Sequence, residues 1–288
     1  MIRIAALSAW SVAYYESTAV RGHERCGGLS EYYSERDTRE PVVIVAGDRK
    51  FAEEKMGVTH GGGISQEDVT RWFNEGVSPA GPGVGKARAG TPGWDVLITV
   101  PKSVSLQAAL CTDSAQAEVI INAVFEAAQE ALGGYLFSHA GYTRVTNPDD
   151  PSKKDLQRLP SLPFVTYFHH TARPLEDGTC DPHMHIHALL PGKVARADGR
   201  MVAIDSQSMY HEAKAAGMLF QKSMRDRLSA ALGIEWEDVD PHTGVAEIKG
   251  YTRETIKAFS RRSSALMDWA RSNLDTFSNL DTAAATEA

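Results

Sequence analysis

Five histidines crowd into residues 169–187: His169, His170, His183, His185 and His187. The last three lie in Pro182-His183-Met184-His185-Ile186-His187, an alternation of imidazole with apolar side chains. A strand sends successive side chains to opposite faces, so His183, His185 and His187 share one face while Met184 and Ile186 turn to the other. Imidazoles two residues apart along a strand stand about 6–7 Å from one another, near enough for two of them to share a cation. Imidazole nitrogen suits borderline divalent metals. The connection 171–181 between the two histidine segments is short enough for an antiparallel pairing, which offers a third ligand from the preceding strand. Alternation alone leaves His169 and His170 open for that place. Three histidines without a fourth protein ligand leave coordination positions free, the pattern of a catalytic rather than a structural metal site.

Histidine strands of this kind serve unrelated chemistries, among them metal-dependent oxygenases and hydrolases. A second feature narrows the choice. Two tyrosine doublets, Tyr14-Tyr15 and Tyr32-Tyr33, stand near the N-terminus. A phenol is a rarely used nucleophile, and adjacent aromatics often only pack a core edge. No carboxylate is as well placed as a further ligand for an oxygenase or hydrolase, and such an enzyme leaves the doublets unexplained.

The elements that must position these groups can be read from periodicity and punctuation. Residues 2–9 read as a first strand, and Ser11 as the N-cap of a helix after it. Between Gly22 and Gly93 the chain is Gly-rich and weakly patterned, apart from a short helix over 65–74 opened by Ser65 and Asp68 and a loop over 78–85. Residues 94–100 read as a strand ended by Pro101. Apolar positions three and four apart predict a helix over 114–132, stopped by Gly133-Gly134. A strand over 135–145 and a polar excursion over 147–160 come next. The two histidine strands are 164–170 and 184–190, linked through Asp177-Gly178, and Asp198-Gly199 marks a hairpin between Val194 and Val202. Long helices are expected over 206–232 and 252–273, and beyond Asp275 a polar tail or linker. The sum is an α+β fold whose sheet is antiparallel rather than doubly wound.

Composition limits the classes. The chain of 288 residues, 42% hydrophobic and 23% charged, reads as an ordinary globular domain, large enough to bury a core. No apolar run approaches the roughly 18–20 residues of a membrane span, and the N-terminus lacks the pattern of a signal peptide. Cys26, Cys111 and Cys180 are odd in number and scattered, so no disulfide framework or zinc ribbon is implied, and a cytoplasmic setting is expected. The net charge of −7 runs against the basic footprint of nucleic-acid binding. Basic residues nevertheless cluster at Lys153, Lys154 and Arg158; at Lys193, Arg196 and Arg200; at Lys222, Arg225 and Arg227; and at Arg253, Lys257, Arg261 and Arg262.

The early Tyr14-Tyr15, the segment Gly93-Trp94-Asp95-Val96-Leu97-Ile98-Thr99-Val100-Pro101-Lys102-Ser103-Val104-Ser105, the segment Phe168-His169-His170-Thr171-Ala172-Arg173 with Asp181-Pro182-His183-Met184-His185-Ile186-His187, and the late Ala258-Phe259-Ser260-Arg261-Arg262-Ser263 together resemble the MobF-type conjugative relaxases. These belong to the HUH endonuclease superfamily. The resemblance runs from Tyr14 to Arg262 and rests on four motifs in the right order. It implies the HUH/relaxase (Rep-like, ferredoxin-related) fold, a central antiparallel sheet flanked by helices. Residues 1–262 would form the nicking domain, 206–273 its helical DNA-clasping part and 274–288 a tail or linker.

The activity implied is strand-specific nicking and rejoining of single-stranded DNA at a plasmid origin of transfer through a 5′-phosphotyrosyl intermediate. Tyr14 would be the nucleophile, with Tyr15 beside it and Tyr32 matching the tyrosine of a second strand transfer. Likeness to the family's Thr-Ser-Arg at Thr171-Ala172-Arg173 selects His169, with His185 and His187, as metal ligands. His183 stands where the family has Gln, and Asp95 matches the aspartate that orients a ligating histidine. Lys102 and Arg173 are candidate phosphate contacts. The metal would be Mg²⁺ or Mn²⁺ in the cell, although imidazoles alone favour Zn²⁺, Ni²⁺ or Co²⁺. Accessory relaxosome and coupling proteins would be further partners.

The connection from His169 to His185 and the stretch from Gly22 to Gly93 are longer than the family pattern. No Gly-x-x-x-x-Gly-Lys-Ser/Thr is found, so no ATPase is expected in this sequence. A rolling-circle replication initiator shares the chemistry but places its tyrosine after the histidines. A DNA-binding module without catalysis is disfavoured by the intact Tyr14, His169, His185 and His187.

Overall fold

The computed structural model describes residues 1–8, 41–81, 91–173, 175 and 177–272. Ser11, Tyr14, Tyr15, Tyr32 and the tail beyond residue 272 lie outside the described residues.

In chain order the elements are β1 (Ile2–Ala6), β2 (Val42–Gly47), α1 (Arg49–Met56), α2 (Gln66–Glu75), β3 (Gly93–Thr99), α3 (Lys102–Leu110), α4 (Ser114–Gln129), β4 (Tyr142–Thr146), β5 (Lys154–Arg158), β6 (Ser161–Thr171), β7 (Pro182–Pro191), β8 (Lys193–Ala195), β9 (Met201–Ala203), α5 (Ser206–Leu232), α6 (Arg253–Ala258) and α7 (Arg261–Ser272). Five strands join in the order β1-β3-β7-β6-β2, and every pairing is antiparallel. The histidine strand β7 is therefore central, hydrogen-bonded on both edges.

Register divides the sheet into two faces. Ile2, Ile98, Ile186 and Phe168 stand in line across one of them. The long helices cover that face: Phe125 of α4 meets Phe168 with ring centroids 5.2 Å apart. Gly217 of α5 lies so close to Ile2 that a Cβ there would come within 2.9 Å of the Ile2 backbone nitrogen. Phe220, Met224 and Leu228 of α5 are fully buried, so this helix belongs to the body of the domain. It starts as caps predict, with the Asp205 carboxylate accepting from the Ser208 backbone N–H and Gly233 closing its end at φ 66°.

The opposite face carries the histidines at one end and α1 and α2 at the other. Trp72 of α2 donates its indole N–H to the Lys193 carbonyl at 2.9 Å. The Met56 thioether of α1 accepts from the Ala195 N–H.

Several sequence expectations need correction. The region 22–93 holds a buried strand, β2, and α1, where only weak patterning is expected. Its Val42-Val43-Ile44-Val45 run was the available signal. Gly133-Gly134 do not stop the preceding helix. The chain continues through a π-helical segment, Glu130–Leu136, into a last turn, Phe137–Ala140. Gly133 faces β2, and a Cβ on it would reach 3.8 Å from Ala46, so tertiary packing holds the helix where glycine propensity favours its end. The strand expected over 135–145 shrinks to β4. Its partner β5 lies inside the polar excursion with every residue exposed. The helix expected over 252–273 is broken at Phe259-Ser260 into α6 and α7.

Gly93, two residues before Asp95, offers a direct test of this packing. A Cβ there would fall 2.3 Å from the Leu190 carbonyl oxygen and 2.7 Å from the Phe73 ring. Gly93→Ala is expected to lower stability by about 1–3 kcal/mol, read by urea unfolding. An unchanged unfolding midpoint would contradict the close approach of α2 to β3 and β7.

Candidate metal centre

The antiparallel register places His169 of β6 directly opposite His185 of β7, and Tyr167 opposite His187. On the other side of β7, Thr99 stands opposite His185 and Leu97 opposite His187. His169, His185 and His187 therefore share a face. Of the two histidines left open by alternation, His169 is the one on this face: His170 points to the other side, edge-on to Phe168 at 4.6 Å.

The three rings form a triangle with centroid separations of 5.0 Å for His169–His185, 5.4 Å for His169–His187 and 5.1 Å for His185–His187. Three imidazoles on a tetrahedral cation with bonds of about 2.0–2.1 Å have centroids about 5 Å apart. Among the described residues no group of three His, Cys, Asp or Glu side chains is placed so as already to hold a metal ion. It is the ring spacing, together with the tautomers it accompanies, that fits a cation.

Those tautomers are set by partners. The His187 Nδ1 lies 2.7 Å from an Asp95 carboxylate oxygen in a buried pair, and a carboxylate can only accept, so this nitrogen carries the proton. The His185 Nδ1 likewise donates to the His183 carbonyl at 2.9 Å. In each ring the proton sits on Nδ1 and leaves the Nε2 lone pair available, as a metal ligand requires. His183 stacks on His185 at 5.1 Å and extends the row without joining the triangle.

Burial keeps His169, His183 and His185 neutral. It lowers the His169 pKa from the ordinary 6.5 to about 3, with the neighbouring His187 and His170 adding to the effect. It holds His185 well below 6.5, reinforced by His187, His169 and His183. His183 falls to about 4, through burial first and then Lys102. Neutral imidazoles gathered in a buried patch are ready for a cation and poorly suited to protons.

A family model described as "TrwC relaxase" matches residues 9–288. The chain belongs to the TrwC relaxase family. The multifunctional conjugation protein TraI of Escherichia coli is 28% identical over 259 residues, covering 84% of this chain and 13% of TraI. TraI of strain K12 is 27% identical over the same length and coverage. The relaxase chain thus spans about an eighth of the curated relatives it matches. In fold it is similar to the conjugative relaxase TrwC solved with mutant oriT DNA, with a TM-score of 0.70, 20% identity and coverage of 98% of this chain and 85% of the other. The metal-bound TrwC–oriT structure gives a TM-score of 0.71 at 20% identity, covering 95% and 84% of the two chains.

Of the remaining expected residues, Lys102 and Arg173 lie near the start of β7. Lys102, the first residue of α3, donates from Nζ to the Pro182 carbonyl at 2.8 Å. Its pKa is lowered by burial against the opposing pull of Asp181 and Glu247. Arg173 comes directly after Ala172, whose N–H donates to the Asp181 carbonyl at 2.8 Å, so Arg173 leaves β6 beside the entry to β7. Tyr14, Tyr15 and Tyr32 lie outside the described residues.

Sequence reasoning gave no role to Asp181, although it stands at the head of the histidine segment. Its carboxylate is buried and accepts from the backbone and side chain of Arg261. An aspartate opening a strand of buried histidines was a signal that it needs a partner, but nothing local names Arg261.

The neutral rings set a pH dependence. Their folded pKa values lie below the 6.5 of an unfolded histidine, so below pH 6.5 the unfolded chain binds more protons and stability falls. The metal-free protein is expected to lose stability progressively from about pH 6.5 towards pH 4, by up to about 1.4 kcal/mol per pH unit for each such histidine. Denaturant unfolding at pH 7.5, 6 and 5 in metal-free buffer measures it. Equal stability at all three values would contradict neutral, buried rings.

Proposed function

We propose that this chain nicks and rejoins one DNA strand at an origin of transfer, with Tyr14 as nucleophile and a divalent metal held by His169, His185 and His187. The observation that carries the reading is the imidazole triangle with Asp95 on the Nδ1 of His187, in a member of the TrwC relaxase family. Solved TrwC relaxases in complex with oriT DNA include metal-bound and copper-bound forms, and one carries a 27-mer comprising the recognition hairpin and the cleavage site.

Bound there, a divalent cation would polarise a non-bridging phosphate oxygen as a Lewis acid. The chain's own residues do the rest. The Tyr14 phenolic oxygen attacks phosphorus, the P–O3′ bond breaks, and its electron pair leaves on the 3′ oxygen. The phenol proton is given up during attack and the 3′ oxygen ends as a hydroxyl, so the nick yields a 5′-phosphotyrosyl link and a free 3′ end. The link keeps the energy of the phosphodiester, and attack by a 3′-hydroxyl reverses the step without ATP. Asp95 fixes the His187 ring and its tautomer. Lys102 and Arg173 add positive charge at the entry to β7, where the strand's phosphates would pass.

Tyr15 lies beside the nucleophile, and Tyr32 is proposed for a second transfer. Mg²⁺ or Mn²⁺ would serve in the cell, while the donor set itself favours Zn²⁺, Ni²⁺ or Co²⁺. Residues 1–262 act as the nicking unit, and within 206–273 the α6–α7 pair is the part that closes on DNA. No helix among the described residues is long and apolar enough to cross a membrane.

The test is direct. With Mn²⁺ and a panel of labelled origin oligonucleotides, an SDS-resistant protein–DNA adduct is expected, lost with EDTA and restored by added metal. Tyr14→Phe should cut its yield by about 10³-fold or more. Full yield from that variant would assign the attack to another tyrosine, Tyr15 first. No adduct from the wild type on any origin would end the nuclease reading.

A further inference from the structure

The four basic clusters of the sequence meet different fates. Arg158 donates to the carbonyls of Phe137 and Ser138 and to the Tyr142 hydroxyl. Lys153 pairs with Asp150, Arg196 and Arg200 with Asp198, Lys222 with Asp226, and Arg227 with Glu126 and Glu130. The fourth cluster differs. Arg253 and Lys257 of α6 and Arg262 of α7 are exposed, and among the described residues no ion pair involves any of them. With Ser263, Ser264, Glu254 and Asp268 these helices border an open groove of about 510 Å³.

No residue of α6 is buried. At the root of the α6–α7 hairpin, the Tyr251 hydroxyl donates to the Gln107 side chain at 2.9 Å. At its bend stands Asp181, only 3% exposed. One carboxylate oxygen accepts from the Arg261 backbone N–H at 2.7 Å, capping α7, and the other from the Arg261 Nε at 2.8 Å. Asp177 approaches the same guanidinium at 3.9 Å. The backbone of Asp181 is itself held, since its carbonyl accepts from Ala172 at the end of β6. Pro182 and His183 come directly after it. One carboxylate thus joins the strand that carries the imidazoles to the helices that carry the exposed cations Arg253, Lys257 and Arg262.

We propose that Asp181 is a positioning residue, which through Arg261 hangs the cationic α6–α7 hairpin at the mouth of the histidine site so that it retains the DNA strand there. This rests on the DNA reading above. A buried carboxylate fits the task because its hydrogen bonds to a cation and to a helix N-terminus are strong, directional and costly to leave unmade.

Two measurements test it. Hydrogen–deuterium exchange of residues 253–265, without DNA, reads the tether: Asp181→Asn and Arg261→Gln should each speed exchange about tenfold. The double variant should exchange no faster than either single one, since both remove one interaction. Dissociation of a fluorescein-labelled dT25 strand reads the consequence and should quicken about tenfold. Ni²⁺ affinity, read by calorimetry, should stay at the wild-type value and shows that the site is folded. Wild-type exchange in both single variants, or faster exchange with unchanged dT25 dissociation, would each overturn the proposal. A wild type that does not hold dT25 overturns the DNA reading and this role with it, and the exchange result, obtained without DNA, tells the two failures apart.

Discussion

The register between β6 and β7 is the constraint on which the rest depends. His169 opposite His185 puts imidazoles from two strands on one face, with His187 two residues further along. A slip of one residue would send the whole histidine row into the apolar layer and Met184 and Ile186 out of it. Ile186 stands in line with Ile98 and Phe168 beneath α4 and α5, so the hydrophobic side of β7 holds the register that the polar side uses. Core packing and site geometry are two faces of one strand.

Burial then sets the chemistry. Histidines in water would be partly protonated near neutrality, and charged rings about 5 Å apart would repel. Desolvation keeps His169, His183 and His185 neutral, and hydrogen bonds from Nδ1 to Asp95 and to the His183 carbonyl turn the same nitrogen of two rings towards protein. What remains is a patch of lone pairs in a polar notch of an otherwise dry sheet. Its instability towards acid and the cation affinity proposed for it would have the same cause. A metal-free fold gives up stability to keep this patch, as functional sites commonly do.

Much of this was legible in the residues. Alternation in 183–187 gives the shared face, and Asp198-Gly199 marks the β8–β9 turn. Alternation leaves His169 and His170 open; the resemblance points to His169, and the register places that residue, not His170, on the histidine face. Local signals failed where tertiary packing decides. Gly133-Gly134 read as a stop, yet contact with β2 carries the helix through; Lys102–Leu110 lacks a side-chain cap and a clear apolar stripe, and is helical because it packs beside β7. The bond from Asp181 to Arg261 spans 80 residues, and no spacing rule reaches that far.

The most direct measurement is X-ray absorption on the Zn²⁺-loaded protein, which counts the imidazoles on the metal. Three imidazole nitrogens at about 2.0–2.1 Å are expected, falling to two in His169→Ala. A shell of oxygens alone, or an imidazole signal indifferent to loss of His169, would contradict a metal centre built by the β6–β7 register.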